Sequence, residues 1–287
     1  MKMMKVVKIG NISVSNDNPM TLIAGPCVME NRDMALRAAE ELVKITSDLN
    51  IPFIFKTSFD KANRTSFKAV RGMGIDAALK VFEEIKKTFH CLIITDVHES
   101  EQCSAISEVV DVLQIPAFLC RQTDLLATAA KTGKAIHIKK GQFLAPWDMK
   151  NVCEKVSACG NEKILLCERG ACFGYNRLVS DMRALKVLKG FGYPVIFDAT
   201  HSVQEPGGLG SATGGKREDV ELLVRAALSI GVAGIFIETH FDPDNAPSDG
   251  PNMVPLGLMR KFLTSMKKFD ELGKQTSYID MDYHKNC

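Results

Sequence analysis

Eight short apolar runs, separated mostly by helical stretches, constrain the fold of this chain more than any other feature. The runs are Leu22–Ala24, Pro52–Lys56, Leu92–Asp96, Val112–Ile115, Ala135–Lys139, Ile164–Cys167, Val195–Asp198 and Gly234–Glu238. Several are apolar without alternation, which is typical of parallel strands buried on both faces. Strand–helix repeats form either a closed barrel or an open doubly wound sheet, and eight is the number that closes a barrel. We therefore predict an α/β fold, a (β/α)8 TIM barrel.

Amphipathic segments between these runs predict the helices of the barrel. In the first segment, for example, Met34, Ala38, Leu42 and Ile45 recur at helical spacing. The predicted helices are Asp33–Leu49, Asp76–Phe89, Asp124–Lys131, Asp148–Val156, Asp181–Lys189, Glu218–Ile230 and Leu256–Leu272. Ahead of the first strand, an alternating stretch centred on Gly10-Asn11 predicts a short β-hairpin over about residues 5–15, at the N-terminal end of the barrel.

Length, charge and cysteine content narrow the class of protein. The 287 residues are close to the roughly 250 of one barrel, so we expect a single catalytic domain over residues 1–287. A net charge of +2 gives no reason to expect nucleic acid or an anionic membrane as a partner. Residues 1–10 lack the apolar core of an export signal, and nine cysteines are compatible with reduced thiols, so we expect a cytoplasmic protein.

Polar or ionisable residues follow nearly every predicted strand. In a barrel the carboxyl ends of all eight strands open on one face, where the active site is built. Six cations fall in this position: Lys56, Lys61, Arg64, Arg121, Lys139 and Arg169. Such a group suits a substrate that carries more than one phosphate or carboxylate, because Arg and Lys bind these oxyanions with charge-assisted hydrogen bonds. The alternative, which is the commoner role of a single lysine, is a solvated surface charge.

Four further strand-end residues predict a metal site. Cys27, His201, Glu238 and Asp249 follow the first, seventh and eighth strands, which become neighbours when a barrel closes. A thiolate, an imidazole and two carboxylates suit one borderline divalent metal, and Zn, Fe(II), Mn, Co and Cd all remain open. Taken singly, Cys27 could be a small buried hydrophobe and His201 a polar core residue.

A glycine-rich segment follows the seventh strand. Residues 210–216 nearly match a phosphate-binding P-loop, but Arg217 stands where that motif needs Ser or Thr. We interpret residues 203–216 as a lid over the mouth of the barrel, with an ordinary surface loop as the alternative.

Several motifs resemble those of a known enzyme family. Gly25-Pro26-Cys27 resembles the start of the phosphoenolpyruvate-dependent 3-deoxy-sugar synthases, and residues 56–66 (KTSFDKANRTS) resemble the signature of the octulosonate-8-phosphate synthases among them. Residues 114–119 (QIPAFL), 121–124 (RQTD) and 249–251 (DGP) complete the match. The similar synthase of aromatic biosynthesis reads Lys-Pro-Arg-Thr near residues 61–65. The metal-free branch of the family has Asn where this chain has Cys27, so the resemblance places the chain in the metal-dependent branch.

This resemblance implies a reaction and roles for individual residues. Phosphoenolpyruvate and D-arabinose 5-phosphate would condense with water to 3-deoxy-D-manno-octulosonate 8-phosphate and phosphate, in lipopolysaccharide biosynthesis. His201, Lys56, Lys139 and Asp249 are the expected catalytic residues. The expected substrate-binding residues are Lys56, Ser58, Lys61, Asn63, Arg64, Thr65, Asp96, His98, Gln114, Phe118, Arg121, Lys139 and Arg169. Lys139 and Arg169 would hold phosphoenolpyruvate, and Asn63 and Arg64 the sugar phosphate. Phe118 and Arg121 would reach a neighbouring subunit of a homotetramer.

Three other functions remain open from the sequence. A class I aldolase could form a Schiff base on Lys139. The aromatic-pathway synthase would take erythrose 4-phosphate in place of arabinose 5-phosphate. A non-catalytic module could bind phosphorylated ligands without releasing phosphate.

Overall fold

Eight parallel strands close into a barrel, as predicted. The computed structural model describes residues 4–64, 66–208, 213–276 and 278. The barrel strands are β1 (Thr21–Gly25), β2 (Phe53–Lys56), β3 (Leu92–Asp96), β4 (Val112–Ile115), β5 (Ala135–Lys139), β6 (Ile164–Glu168), β7 (Val195–Asp198) and β8 (Gly234–His240). Each strand pairs with the next along the chain, and β8 also pairs with β1, which closes the barrel. Every predicted run overlaps one of these strands.

Within the described residues, eight helices of seven or more residues surround the barrel. They are α1 (Arg32–Asp48), α2 (Ile75–Phe89), α3 (Gln102–Val109), α4 (Thr123–Lys131), α5 (Met149–Ser157), α6 (Arg183–Lys189), α7 (Val220–Ser229) and α8 (Met259–Gln275). All but α3 overlap a predicted helix. The sequence pattern missed α3 because the helix presents only Cys103 and Ile106 as buried apolar residues. It also missed a four-residue helix, Ala199–Ser202, directly after β7.

The predicted N-terminal hairpin is confirmed and covers one end of the barrel. Val7–Ile9 pairs antiparallel with Ile12–Val14. Gly10 has a φ of 53°, a left-handed conformation that glycine adopts without strain. The buried hairpin side chains Val7, Ile9 and Val14 join the apolar cluster inside the barrel. A second cluster lies between the outer faces of the strands and the helices.

Short strands and 3-10 helices lie at the opposite end of the barrel. After β6, Ala171–Gly174 pairs antiparallel with Arg177–Val179, and after β8, Val254–Pro255 extends the sheet in parallel. Gln204–Glu205 pairs with Gly214–Gly215, which joins the two ends of the predicted lid. The centre of that loop, residues 209–212, lies outside the described residues. The 3-10 helices are Ala117–Leu119, Pro146–Asp148, Arg217–Asp219, Pro243–Asn245, Gly250–Asn252 and Leu256–Leu258. Among the described helices, none has the length and apolar character needed to cross a bilayer.

Candidate active site at the carboxyl ends of the strands

The inner face of the barrel changes from apolar to ionisable along each strand. Residues two apart on a strand lie on the same face. On six strands an apolar residue of the interior cluster is followed two positions later by a buried polar one: Ile54 and Lys56, Ile94 and Asp96, Val112 and Gln114, Ala135 and His137, Ile196 and Asp198, Phe236 and Glu238. Among these side chains Lys56 contacts Glu238 and Gln114 contacts Asp96, so the carboxyl end of the barrel is a buried, charged site.

Glu238 is the centre of one group of ionisable residues. Its Oε1 accepts a hydrogen bond from Lys56 Nζ at 2.8 Å and lies 3.6 Å from Lys61 Nζ. Its Oε2 lies 3.7 Å from His201 Nε2. Burial opposes ionisation of Glu238, but the charges of Lys56 and Lys61 outweigh it and hold the pKa of this carboxyl well below its usual range. Glu238 is therefore a carboxylate although it is buried.

Three of the four predicted metal ligands meet beside this group. Ligand atoms of Cys27, Glu238 and Asp249 all lie within 4.8 Å of one another. Burial, reinforced by the charge of Glu238, raises the pKa of the Cys27 thiol well above its usual range, and Sγ donates to Asp249 Oδ2 at 3.3 Å. His201 contacts Glu238 but does not belong to the group of three. A thiol and two carboxylates that converge in a buried site have the donor chemistry of a divalent metal site.

Asp198 connects His201 to Lys139. The carboxylate is fully buried, forms an ion pair with Lys139, and lies 2.8 Å from His201 Nδ1. Burial opposes ionisation of Asp198, but its interactions with His201 and Lys139 hold its pKa well below the usual range. Because a carboxylate only accepts hydrogen bonds, Nδ1 carries a proton and Nε2 faces Glu238. The sequence prediction did not include Asp198 among the site residues, although it ends a predicted strand three residues before His201.

A third group lies at the ends of β2, β3 and β4. Ser58 Oγ and Gln114 Nε2 both donate to the carboxylate of Asp96. Burial opposes ionisation of Asp96, but Lys56 and Lys61 hold its pKa well below the usual range. The ring centroids of His98 and Phe59 lie 5.5 Å apart. The buried Nδ1 of His98 has no hydrogen-bond partner among the described residues.

Arg169 has the contacts expected of a residue that binds an anion. The side chain is buried after β6, and Nη2 donates to Gln204 Oε1 at 2.8 Å. Its buried Nη1 has no partner in the part of the chain that the structure describes. Burial lowers the pKa of Arg169, because a charged group loses hydration inside the barrel. A phosphate or carboxylate at Nη1 would satisfy the donor and offset that cost.

The remaining predicted residues lie further from these groups. Arg64 reaches the loop after β8, where Nη1 donates to Ser248 Oγ at 2.6 Å and Nη2 donates to the carbonyl of Pro247. Asn63 is exposed, and Thr65 lies outside the described residues. Phe118 and Arg121 are exposed, and the structure shows no contact between their side chains and the site among the described residues.

Comparison with known proteins relates this site to a family. A sequence profile of the DAHP synthetase I family matches residues 3–275. A protein of Bartonella henselae is 60% identical over 271 residues, 94% of this chain and 97% of that protein. One of Bartonella quintana is 61% identical over 272 residues, 95% and 98% of the two chains. One of Rickettsia bellii is 60% identical over 273 residues, 95% and 100%. All three are named 2-dehydro-3-deoxyphosphooctonate aldolase.

Proposed function

The chain belongs to the DAHP synthetase I family, and from this membership we propose that it condenses phosphoenolpyruvate with D-arabinose 5-phosphate and water. The products are 3-deoxy-D-manno-octulosonate 8-phosphate and inorganic phosphate, and the reaction belongs to lipopolysaccharide biosynthesis. Relatives about 60% identical over nearly the whole chain are named for this octonate phosphate. The observation that carries the proposal in the structure is the convergence of buried cations with Cys27, Glu238 and Asp249 at one mouth of the barrel.

Arg169 and Lys139 are the residues we assign to phosphoenolpyruvate. Nη1 of Arg169, which has no partner among the described residues, offers a donor to the phosphate or carboxylate of phosphoenolpyruvate. Lys139, held by Asp198 on the neighbouring side of the mouth, adds a second cation. With Lys56, Lys61, Ser58 and Gln114 around them, these groups favour an enol ester that carries several negative charges. Asp96 and His98 border the same part of the site.

We assign the sugar phosphate to the outer rim of the mouth. Arg64 sits at the rim, anchored to the loop after β8, with Asn63 and Thr65 beside it in sequence. This arrangement leaves the aldehyde end of the sugar to point toward the buried groups. In the condensation the enol carbon C3 bonds to the aldehyde carbon, water adds at C2, and the resulting hemiketal phosphate releases inorganic phosphate.

We propose that Cys27, Glu238, Asp249 and His201 hold one divalent metal. When bound, such an ion supplies Lewis acidity that polarises an aldehyde or lowers the pKa of a water. His201 keeps its Nε2 toward the site because Asp198 binds Nδ1, so Nε2 can ligate a metal or accept a proton. Lys56 keeps Glu238 ionised and in place, and Asp249 accepts from the Cys27 thiol.

The alternative functions have less support. A Schiff base on Lys139 needs an amine that is free to attack a carbonyl, whereas Lys139 is held by buried Asp198. The relatives' shared name favours the octonate over the aromatic-pathway product. A pure binding module has no use for a metal site of this kind. We further propose a cytoplasmic homotetramer in which Phe118 and Arg121 reach a neighbouring subunit, as the family resemblance implies.

The metal assignment is tested by stripping the protein with a strong chelator. We expect phosphate release from phosphoenolpyruvate and arabinose 5-phosphate to stop, and to return when Zn, Mn, Co or Fe(II) is added. Cys27→Asn should bind little metal, because it loses the softest ligand, and should retain some chelator-resistant turnover. Bound metal is measured by elemental analysis on both proteins.

Two controls make the result specific. Cys153→Asn changes another buried cysteine, on α5 and away from the mouth, and should leave bound metal at the wild-type level. Erythrose 4-phosphate in place of arabinose 5-phosphate should give little product. Full turnover by verified metal-free wild type would refute the metal requirement, and equal metal content in Cys27→Asn would leave Cys27 as an ordinary core residue.

A further inference from the structure

His137 is a buried imidazole below the mouth of the barrel that the assignments above do not use. It lies on β5, two residues before Lys139, and is fully buried. In the sheet it stands in register with Gln114 of β4, which in turn stands in register with Asp96 of β3. Three polar side chains therefore form one row across adjacent strands.

The hydrogen bonds along this row fix the orientation of the Gln114 amide from both ends. His137 Nδ1 lies 3.0 Å from Gln114 Oε1. A carbonyl oxygen only accepts, so Nδ1 must carry the proton. At the other end, Gln114 Nε2 donates to the Asp96 carboxylate, which also accepts from Ser58 Oγ. Donors therefore point from His137 through Gln114 to Asp96, which accepts from Ser58 on its other oxygen, so each group in the row has one defined role.

The surroundings of His137 keep it neutral, with one donor. Burial, with the nearby charge of Lys139, lowers the pKa of His137 to about 3. With Nδ1 protonated, Nε2 is a buried acceptor that has no partner among the described residues. The ring stacks on Phe236 with the two centroids 6.0 Å apart and an interplanar angle of 10°. An apolar side chain would pack there without an unpaired nitrogen, so packing alone does not explain a histidine at this position.

We propose that His137 is a positioning residue that holds Gln114, and through it Asp96 and Ser58, in the arrangement that binds substrate. The proposal rests on the proposed function, because Gln114, Asp96 and Ser58 are assigned there to the phosphoenolpyruvate end of the site. His137 does not touch the substrate and acts through Gln114. Without its donor, Gln114 Oε1 loses its partner, the amide is free to rotate, and Asp96 and Ser58 lose their fixed arrangement.

A matched pair of variants separates the hydrogen bond from the packing. Asn places an amide nitrogen where His has Nδ1, whereas Leu has nearly the same shape as Asn and no donor. We expect His137→Leu to lower kcat/KM for phosphoenolpyruvate roughly tenfold, the usual effect of losing one buried hydrogen bond, mainly through KM. The kcat/KM of His137→Asn should stay within about threefold of the wild-type value. This difference between the two variants should remain even if their thermal unfolding temperatures are equal.

A double-mutant cycle and crystal structures complete the test. If His137 acts through Gln114, adding His137→Leu to Gln114→Leu should cost almost nothing more. Crystal structures should show Gln114 on Asp96 in the Asn variant and displaced in the Leu variant. Additive losses, an equal loss in both variants, or an undisplaced Gln114 would overturn the proposal. Failure of the proposed function would show separately, as wild-type protein that releases no phosphate, while the Gln114 position is read without turnover.

Discussion

The two ends of the barrel use the same eight strands for opposite purposes. At the N-terminal end, Val7, Ile9 and Val14 of the hairpin cover an interior made almost wholly of aliphatic side chains. At the carboxyl end, only two to four residues further along the strands, the inner face holds Lys56, Asp96, Lys139, Asp198 and Glu238, all buried. At the closed end, removal of apolar surface from water stabilises the fold. At the open end, charged side chains are kept out of water, where they can bind and convert a substrate.

The free energies of burying apolar and charged side chains explain why stability and activity are divided between the two ends. Burial of one aliphatic side chain stabilises a protein by about 1.5 to 3 kcal/mol. A buried ion pair is often neutral or unfavourable relative to apolar residues, because desolvation offsets the Coulomb attraction. Hence the hairpin end should determine stability and the mouth should determine activity, and variants at each end should separate the two measurements.

The largest expected effect is on stability, at the closed end. Ile9→Ala removes a buried side chain of the hairpin and should lower the free energy of unfolding by about 2 to 5 kcal/mol, from lost apolar burial and the cavity left behind. Its kcat/KM should stay near the wild-type value, because the mouth is untouched. Urea unfolding and phosphate-release kinetics give the two quantities. The control is Val6→Ala at an exposed neighbour, expected within about 0.5 kcal/mol of wild type.

The next largest effect is on activity, at the mouth. Arg169→Ala removes a charge-assisted contact worth about 1.5 to 3 kcal/mol, so kcat/KM should fall by roughly 10- to 150-fold. Its unfolding free energy should not fall, because the folded state no longer buries a cation whose pKa is lowered by desolvation. Arg183→Ala removes an arginine whose side chain is 90% exposed and serves as the control. Wild-type kcat/KM in Arg169→Ala would place the anion site elsewhere.

The architecture of both ends was predictable from the sequence because each strand is a local pattern. A run such as Leu92–Asp96 is apolar over a few residues and then ionisable, so it indicates both a strand and the direction in which that strand points. The hairpin was equally local, with its turn at Gly10-Asn11. Closure of the barrel then brought Cys27 of the first repeat beside Glu238 and Asp249 of the last, as predicted.

The site residues that could not be predicted from the sequence depend on cross-strand register and on hydrogen-bond direction. His137 lies inside a strand, and Asp198 is only one of many polar residues that end strands, so neither was assigned to the site. Their importance appears only when Asp198 is seen to hold both Lys139 and His201, and when His137 stands in register with Gln114. Helix α3 was missed for a different reason, because only Cys103 and Ile106 mark its buried apolar face.

Phe236 lies where the two ends of the barrel meet. A variant there should produce the smallest change in stability and activity, but it tests directly whether the two ends are independent. Its ring belongs to the interior apolar cluster, yet Lys139 Nζ lies 3.3 Å from its centroid and the His201 ring 5.7 Å away. Phe236→Leu keeps the residue apolar but removes the aromatic face, so we expect a loss of about 1 kcal/mol in unfolding free energy. The lost cation–π contact should also lower kcat/KM by a few-fold, because Lys139 loses one of the contacts that hold it beside the site.

The control for Phe236 is Phe82→Leu, at a buried phenylalanine of α2 in the outer apolar cluster. This variant should lose a similar amount of stability and keep the wild-type kcat/KM, because the cluster lies between the barrel and the helices, away from the mouth. If Phe236→Leu changes stability alone, the division between the two ends extends even to the residue that they share. If Phe82→Leu lowers kcat/KM equally, loss of packing anywhere in the protein weakens the mouth, and the stability of the closed end is then a condition for activity.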